Sequence, residues 1–338
     1  MKLIQFKILT PLGETKRIGI LLEDKILDLY SSYVTYLVQE TRETKPYEMA
    51  DLRISNNILS FLDGGEYSME AAQKTQEYFQ NLIKRNEGLV GPKKENLVFS
   101  RDQVTIIEPI SYPRYIVDFM TFETHYRQSL EKLTDFSLWK KYPIGYKKNP
   151  NSIIGPTDPI SFPKIITKWL DFEVEFGVVI GKKGKDIEEG DAYKYIVGFT
   201  AFNDISARDI EIPEIFLRLG PFKGKDFDCA GPLGPCIVTP DEIGDPHNLK
   251  MELRVNGQIM QQGNTRDMKW SVYQLVAYTS KDQTLLPGTL LFSGNPGRLE
   301  DKTIQRKERL KIGDIVEAEI EKIGTLRNEI TEKSGLLR

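Results

Sequence analysis

Apolar and polar residues alternate most regularly in the stretch around residue 175. The apolar positions are Phe172, Val174, Phe176, Val178 and Ile180, and they alternate with Asp171, Glu173, Glu175 and Gly177. A repeat of two residues is typical of a β-strand that buries one face. The stretch therefore predicts a strand over residues 172–181, with one apolar face and one acidic face.

Before residue 109 the pattern predicts a small α/β unit. Two strands, over residues 2–9 and 18–29, precede two helices, over residues 34–41 and 68–85. The second helix is predicted more strongly, because its apolar residues recur at helical spacing. A polar connector over residues 86–96 follows. We therefore expect a small N-terminal α/β domain over residues 1–108 and a second domain over residues 109–338.

Beyond residue 115, short β-type runs recur and turn signals separate them. The runs cover residues 160–162, 172–181, 195–203, 235–238, 250–255, 288–292 and 314–321. Pro-Gly and Asn-Gly signals predict turns at residues 232–235, 256–257 and 287–288. Only residues 270–279 form a clear helical stripe. Many strands with few helices favour an α+β fold, mostly β, in which a curled mixed sheet forms a β-roll.

The composition narrows the classes of function. The chain of 338 residues is 40% hydrophobic and 28% charged with a net charge of -3, as in many globular proteins. It has no basic block and no apolar run of membrane-spanning length, so we expect neither nucleic acid nor a membrane as partner. Residues 1–7 lack the apolar core of a signal peptide, and Cys229 and Cys236 predict reduced thiols. We therefore expect a cytoplasmic protein.

Three acidic side chains share one face of the predicted strand, namely Asp171, Glu173 and Glu175. Three like charges repel, and their burial is costly unless a positive group lies among them. Hard divalent cations such as Mg²⁺ and Ca²⁺ bind carboxylate oxygens in arrays of this kind. The other interpretation is an edge strand with a solvated acidic face, which is common in antiparallel sheets. The pattern alone leaves both open.

The chain has only two histidines. His247 lies in a predicted turn and is expected to be a solvated loop residue. His125 lies where a predicted strand enters a helix, with Asp118 and Glu123 nearby in sequence. An acidic neighbour orients an imidazole and raises its basicity, so His125 is a candidate general base. A lone histidine in such a place also has a structural interpretation.

A series of motifs extends from about residue 109 to residue 327. They are Asp118 followed by His125, Pro143-Ile-Gly145-Tyr146, Ser152-Ile-Ile-Gly155-Pro156, Asp158-Pro-Ile160, Asp171-Phe-Glu173-Val-Glu175-Phe176, Asn203-Asp204-Ile-Ser-Ala-Arg208-Asp209, Gly220-Pro-Phe222-Lys-Gly224-Lys225 and the closing run over residues 311–328. In this order the motifs resemble the fumarylacetoacetate hydrolase superfamily. The resemblance implies a mixed β-roll of the fumarylacetoacetase C-terminal type behind a small N-terminal α/β domain, and it implies a homodimer.

The resemblance also implies a set of site residues. The metal ligands carried over from the family are Asp118, Glu173, Glu175 and Asp204, around Mg²⁺ or else Ca²⁺ or Mn²⁺. The substrate-binding residues are Tyr146, Arg208, Lys225 and Asn295, and the catalytic residue is His125. The implied activity is metal-dependent hydrolysis of a C–C bond in a β-diketone or acylpyruvate-type acid, with His125 activating the water. The implied partner is a small carboxylate substrate.

The chain also departs from the hydrolase pattern. Met120, Lys147, Glu211 and Asn295 replace a tyrosine, a histidine, a glutamine and a threonine of that branch. The group that orients His125 has three candidates: Glu123, Gln128 and Glu300. A lyase of the same superfamily, either a 2-oxo acid decarboxylase or a hydratase or isomerase of aromatic catabolism, is therefore the alternative. A catalytically silent β-roll is a third hypothesis, which the retained acids and His125 disfavour.

Overall fold

One large mixed β-sheet, built jointly by the N-terminal and central segments, organises the molecule. The computed structural model describes residues 1–11, 13–85, 89–132, 134–299 and 309–332. Within these ranges the strands are β1 (Lys2–Thr10), β2 (Gly13–Leu22), β3 (Lys25–Asp28), β4 (Val98–Ser100), β5 (Thr105–Ile107), β6 (Tyr115–Phe119), β7 (Gly145–Lys147), β8 (Ile153–Ile154), β9 (Ile160–Ser161), β10 (Leu170–Asp171), β11 (Val174–Ile180), β12 (Ile196–Asn203), β13 (Ser206–Ala207), β14 (Gly231–Val238), β15 (Lys250–Val255), β16 (Gln258–Asn264), β17 (Thr289–Phe292), β18 (Ile315–Ile320) and β19 (Gly324–Thr331).

The helices cluster in the N-terminal third and around the connections between later strands. They are α1 (Leu29–Tyr36), α2 (Pro46–Arg53), α3 (Ile58–Asp63), α4 (Gly65–Arg85), α5 (Glu123–Ser129), α6 (Phe136–Lys141), α7 (Arg208–Phe216), α8 (Pro240–Ile243) and α9 (Val272–Thr279). Every helix within the described ranges is too short or too polar to cross a bilayer.

The strand order explains how the site is assembled. The large sheet runs β4-β3-β2-β1-β14-β12-β11-β17-β6-β7, with β5 beside β1 and β8 beside β14. β17 and β6 pair in parallel, whereas β11 pairs antiparallel with both β12 and β17. A second sheet runs β16-β15-β18-β19-β9. The predicted mixed β-roll with an N-terminal α/β unit is confirmed.

Two hydrophobic cores lie on opposite faces of the large sheet. The alternation in β11 directs Phe176 and Val178 into the core shared with β15 and β18, and Val179 into the core beneath the N-terminal helices. Since both faces are covered, every residue of β11 is buried, including Glu175. The interpretation of a solvated acidic strand face is therefore wrong for this strand.

The N-terminal strands extend the same sheet. β1 pairs antiparallel with β14, where Leu3 lies opposite Ile237. The division of the chain at residues 108 and 109 stays a prediction.

The strand predictions beyond residue 115 are confirmed, since each predicted run contains a strand or lies within one. Three other predictions were wrong in detail. The single strand over residues 18–29 is two strands, because Glu23 takes a positive φ of 54° and turns the chain. The helix predicted over residues 34–41 begins at Leu29, since the Asp28 side chain accepts the Ser31 N–H and caps it early. The turn predicted at residues 232–235 lies inside β14.

Candidate active site

Three buried carboxylates converge from neighbouring strands of the large sheet. Asp118 lies in β6, Glu175 lies in β11, and Asp204 follows the last residue of β12. One oxygen from each lies within 4.8 Å of the others. The side chains are buried, so water cannot screen their mutual repulsion. Three hard oxygen donors at this separation are the ligand set that Mg²⁺, Mn²⁺ or Ca²⁺ prefers.

Two carboxylates of the triad lack a positively charged partner among the described residues. Among the described residues, neither Asp118 nor Glu175 has a lysine or arginine within ion-pair distance. Burial, and then the neighbouring Asp204, raise the pKa of Asp118 to about 8. Burial and the repulsion of Asp118 likewise hold the pKa of Glu175 well above its usual value. Two carboxyl groups that resist ionisation for lack of a counter-charge fit a divalent metal ion.

Among the described residues, Asp204 is the member of the triad that forms ion pairs with lysine side chains. The Tyr146 hydroxyl lies 2.8 Å from Asp204 Oδ2 and 3.2 Å from Asp118 Oδ2, so it bridges two members of the triad. Lys225 Nζ also donates to Asp204 Oδ2. Tyr146 and Lys225 both line the same cavity, and their role in binding substrate stays a prediction.

Glu173 lies outside the triad and faces positive groups. Its Oε2 accepts from Lys225 Nζ at 2.7 Å, and its Oε1 accepts from Arg208 Nη2. Burial alone would raise the pKa of Glu173, but Arg208 and Lys225 outweigh burial and hold this pKa well below its usual range. Glu173 is therefore a carboxylate whose charge is already matched. Its assignment as a fourth metal ligand stays a prediction.

His125 lies on α5 and lines the cavity opposite Glu173. Its Nε2 is 3.6 Å from Glu173 Oε1, and its Nδ1 is 3.3 Å from the Ser129 hydroxyl. Burial lowers the pKa of His125 to about 4, so the imidazole is neutral near pH 7. A neutral imidazole can accept a proton, and the Glu173 carboxylate would then stabilise the imidazolium.

The groups around His125 differ from those the sequence offered. Glu123 pairs with Arg127 on the exposed face of α5. Gln128 exchanges two hydrogen bonds with the backbone of Arg298, at 2.9 and 3.0 Å. Glu300 lies outside the described residues. Ser129, one helical turn after His125, contacts its ring nitrogen, and no motif in the sequence indicated it.

Arg208 is surrounded by three acids, which lie in β10, between β10 and β11, and in its own helix α7. Its Nε donates to Asp171 at 2.8 Å, its Nη1 donates to Glu211 at 2.7 Å, and its Nη2 donates to Glu173. Asp171 thus pairs with arginine and does not join the triad. Each of the three guanidinium nitrogens of Arg208 already donates to an acid of the protein. Its role in binding substrate therefore stays a prediction.

The cavity above these groups has a volume of about 1370 Å³. Its floor carries the triad, Glu173, His125, Tyr146, Lys225 and Asn295. The rest of its wall is mixed, with apolar Leu138, Ile144, Phe216, Leu219 and Phe222 beside charged Lys132, Asp135, Lys147 and Arg218. A charged floor below a partly apolar wall suits a small acid that carries a less polar tail.

Lys148 is a site residue that the sequence did not reveal. Its side chain is fully buried, and Nζ donates to Asp204 Oδ1 at 2.6 Å and to the Lys225 carbonyl at 3.1 Å. It therefore joins a triad carboxylate to the backbone of the segment that bears Lys225. The sequence offers two adjacent lysines, Lys147 and Lys148, and no spacing rule tells which one is buried.

Known proteins are similar to this chain over most of its length. Residues 114–331 match the family model for the C-terminal domain of fumarylacetoacetate (FAA) hydrolase. The chain is 33% identical over 335 residues to the mitochondrial oxaloacetate tautomerase fahd2 of Xenopus laevis, covering 98% of this chain and 90% of the relative. It is 38% identical over 238 residues to the human mitochondrial oxaloacetate tautomerase FAHD2A, covering 69% and 71%. Since these relatives are named mitochondrial, the cytoplasmic location stays a prediction.

Solved structures share the fold at lower identity. Fumarylacetoacetate hydrolase from Exiguobacterium antarcticum superposes with a TM-score of 0.68 at 23% identity, covering 98% of this chain and 100% of that chain. Maleylpyruvate hydrolase from Sphingobium sp. SYK-6, in complex with manganese(II) and pyruvate, superposes with a TM-score of 0.65 at 21% identity, covering 98% and 99%.

Proposed function

Because this chain belongs to the fumarylacetoacetate hydrolase family, we propose that it is a divalent-metal-dependent enzyme that interconverts the keto and enol forms of a short 2-oxo dicarboxylate, of the oxaloacetate type. The names of its relatives at 33% and 38% identity support this activity. The observation that carries the proposal is the buried triad of Asp118, Glu175 and Asp204, which shares one cavity with His125.

The triad would hold the metal ion. Asp118, Glu175 and Asp204 supply three carboxylate oxygens, and Glu173 would join only after giving up one of its cation partners. A bound divalent cation would supply positive charge that lowers the energy of negative charge developing on the 2-oxo group.

The chain's own residues would move the proton. In the keto form a proton leaves C3 of the substrate, and in the enol form a proton resides on the oxygen at C2. His125, neutral near pH 7, would accept the C3 proton at a ring nitrogen, and Glu173 would stabilise the charged ring 3.6 Å away. The ring would then release this proton to the oxygen at C2, directly or through water, and return to its neutral form. Lys225 and Tyr146 line the same floor and would orient the carboxylate and enol oxygens of the substrate.

The test uses protein freed of metal with EDTA and then supplied with Mg²⁺, Mn²⁺ or Ca²⁺. Decay of the enol absorbance of oxaloacetate is followed against a buffer control that contains the same metal. We expect faster ketonisation with metal and wild-type protein, and a return to the buffer rate with EDTA. Equal rates with and without metal-loaded protein would overturn the proposal.

C–C bond hydrolysis of an acylpyruvate is the second candidate, and the size of the cavity favours it. A volume of about 1370 Å³ with a partly apolar wall exceeds the needs of a four-carbon acid. In this reaction His125 would take a proton from the attacking water. The same preparation given an acylpyruvate should then release pyruvate and a second acid, whereas a decarboxylase would release CO₂.

The homodimer is also a proposal. Phe216, Leu217, Leu219 and Phe222 form an exposed apolar segment in the single chain. Sedimentation equilibrium would show whether two copies associate.

A further inference from the structure

Asn295, a residue of the cavity wall, carries a buried amide nitrogen without a hydrogen-bond partner in the described ranges. The residue is only 1% exposed and belongs to the cavity wall. Its Nδ2 has no hydrogen-bond acceptor among the described parts of the chain. A buried donor without a partner is costly, and a ligand oxygen can satisfy it.

The other end of the same amide is fixed. Asn295 Oδ1 accepts from the Gly297 backbone N–H at 2.8 Å and from Gln261 Nε2 at 2.9 Å. A backbone N–H can only donate, so the atom that faces Gly297 must be the oxygen. The group left without a partner among the described residues is therefore the NH₂.

Gln261 is fixed in the same way at its far end. Its Oε1 accepts from the Val174 backbone N–H at 2.9 Å, and the side chain is 2% exposed. Since Val174 N–H can only donate, Gln261 must turn its NH₂ toward Asn295. Val174 lies between Glu173 and Glu175. The buried Gln261 side chain thus connects β11 to Asn295. The backbone N–H of Val174 at one end and that of Gly297 at the other set the direction of every hydrogen bond in this chain of contacts.

We propose that Gln261 is a positioning residue that holds Asn295 with its NH₂ toward the bound substrate, where Nδ2 donates to a carboxylate or carbonyl oxygen. Because Oδ1 already has two donors, Asn295 offers the cavity a donor only. It therefore selects an oxygen acceptor and does not ligate a cation. The inference rests on the proposed function only in taking a 2-oxo acid as the ligand.

The test measures binding, separately from turnover. Oxalate, a planar dianion that resembles the enolate of a 2-oxo acid, is titrated into manganese-loaded protein by calorimetry. The variants are Gln261→Glu, Gln261→Met, Asn295→Ala and the two Gln261 changes combined with Asn295→Ala. Thermal unfolding and Mn²⁺ affinity are recorded for each variant, and KM and kcat are recorded for those that are active.

The Gln261→Glu change keeps the acceptor for Val174 N–H but places a second acceptor against Asn295 Oδ1. The Asn295 amide then loses its fixed direction, and oxalate affinity should fall about tenfold. Gln261→Met, which is neutral and of similar length, should weaken oxalate binding by roughly threefold to tenfold. Asn295→Ala should weaken it about tenfold, and KM should rise more than kcat falls.

The double variants decide whether Gln261 acts through Asn295. In the Asn295→Ala background, either Gln261 change should alter oxalate affinity by less than about twofold. A purely structural or purely electrostatic effect of Gln261 would persist in that background and would overturn the proposal. Wild-type affinity in Asn295→Ala, or no oxalate binding by the wild type, would overturn it as well.

The experiment distinguishes failure of this proposal from misfolding of a variant and from failure of the proposed function. If neither Gln261 variant folds, the affinity of Asn295→Ala for oxalate still decides whether Nδ2 contacts the ligand. If oxalate binding follows the expected pattern while oxaloacetate ketonisation is absent, only the proposed function fails.

Discussion

His125 Nε2 lies 3.6 Å from Glu173 Oε1, inside the cavity that holds the carboxylate triad. Glu173 is itself held by Lys225 at 2.7 Å and by Arg208. The histidine, with 12% of its side chain exposed, thus lies beside a carboxylate that two cations hold in place. Burial keeps the pKa of His125 low, at about 4, so the ring is neutral and can take a proton from a substrate held above it.

The first prediction concerns this ring. His125→Gln keeps a polar side chain but removes the proton acceptor, so kcat for the proposed reaction should fall about 10²- to 10⁴-fold. Mn²⁺ affinity should stay close to that of the wild type. The matched control is His247→Gln, which changes the chain's other histidine and should leave kcat unchanged. A His125→Gln variant within a few-fold of wild-type kcat would remove His125 from the mechanism.

A second prediction concerns the contact between Gly297 and α5. Gly297 has a φ of +87°, and a Cβ there would lie 2.9 Å from Gln128 Oε1, 3.0 Å from Thr124 Cγ2 and 3.2 Å from His125 N. Gly297→Ala should therefore displace the helix that bears His125 and lower kcat at least about tenfold.

Gly257 provides the control for this substitution. It also has a positive φ, +81°, but a Cβ there would meet nothing within 4 Å. Both alanine variants should lose about 1–2 kcal/mol of unfolding free energy from backbone strain, and only Gly297→Ala should lose kcat. Equal kcat in the two variants would contradict the proposed contact between loop and helix.

A third prediction separates two adjacent lysines. Lys148 is buried against Asp204, whereas Lys147 is exposed at the cavity mouth. Lys148→Met leaves a buried carboxylate short of a counter-charge, so the unfolding free energy of the metal-free protein should fall by about 3 kcal/mol. Lys147→Met should change it by less than about 0.5 kcal/mol. Urea unfolding measures both, and similar losses would show that Lys148 is not the stabilising partner of Asp204.

A fourth prediction concerns pH. The sequence placed His247 in a solvated loop, but it is partly buried and its Nε2 accepts the Val272 N–H at 3.1 Å, at the start of α9. Burial lowers the pKa of His247, although Asp245 opposes this shift. The unfolded chain therefore binds the proton first as the pH falls. The stability contributed by the neutral ring is present above the unfolded pKa of about 6.5 and is lost as the pH falls below it.

The His247→Gln variant isolates this effect from the other titrating groups. Between about pH 7 and pH 5, the urea midpoint of the wild type should fall further than that of His247→Gln. Parallel curves would show that protonation of His247 does not weaken the start of α9.

The alternation of residues 172–180 was sufficient to predict β11, because the repeat of two residues in a strand does not depend on which elements pack against it. It was not sufficient to predict that Glu175 is buried, since burial of the second face depends on helices from a distant part of the chain. The family motifs placed Asp118, His125, Tyr146 and Lys225 in one cavity. They did not distinguish Glu173 from Glu175, whose different charge partners follow from the positions of Arg208 and Lys225.

The residues that sequence reasoning missed are buried polar side chains with long-range partners. Lys148 meets Asp204, and Gln261 meets Val174 and Asn295. The local sequence around Lys148 and around Gln261 is typical of a solvated residue. Their roles come from contacts between segments distant in the chain, which local periodicity and spacing do not encode.

The most direct measurement is a Mn²⁺ titration of the wild type, Glu175→Gln and Glu173→Gln, followed by the electron paramagnetic resonance signal of free Mn²⁺. The two variants make the same chemical change two residues apart. The wild type should bind one Mn²⁺ per chain, Glu175→Gln should weaken binding by roughly a hundredfold or more, and Glu173→Gln should weaken it by less than about tenfold. A wild type that binds no Mn²⁺, or a Glu175→Gln variant that binds it as tightly as the wild type, would contradict the assignment of the triad as the metal centre.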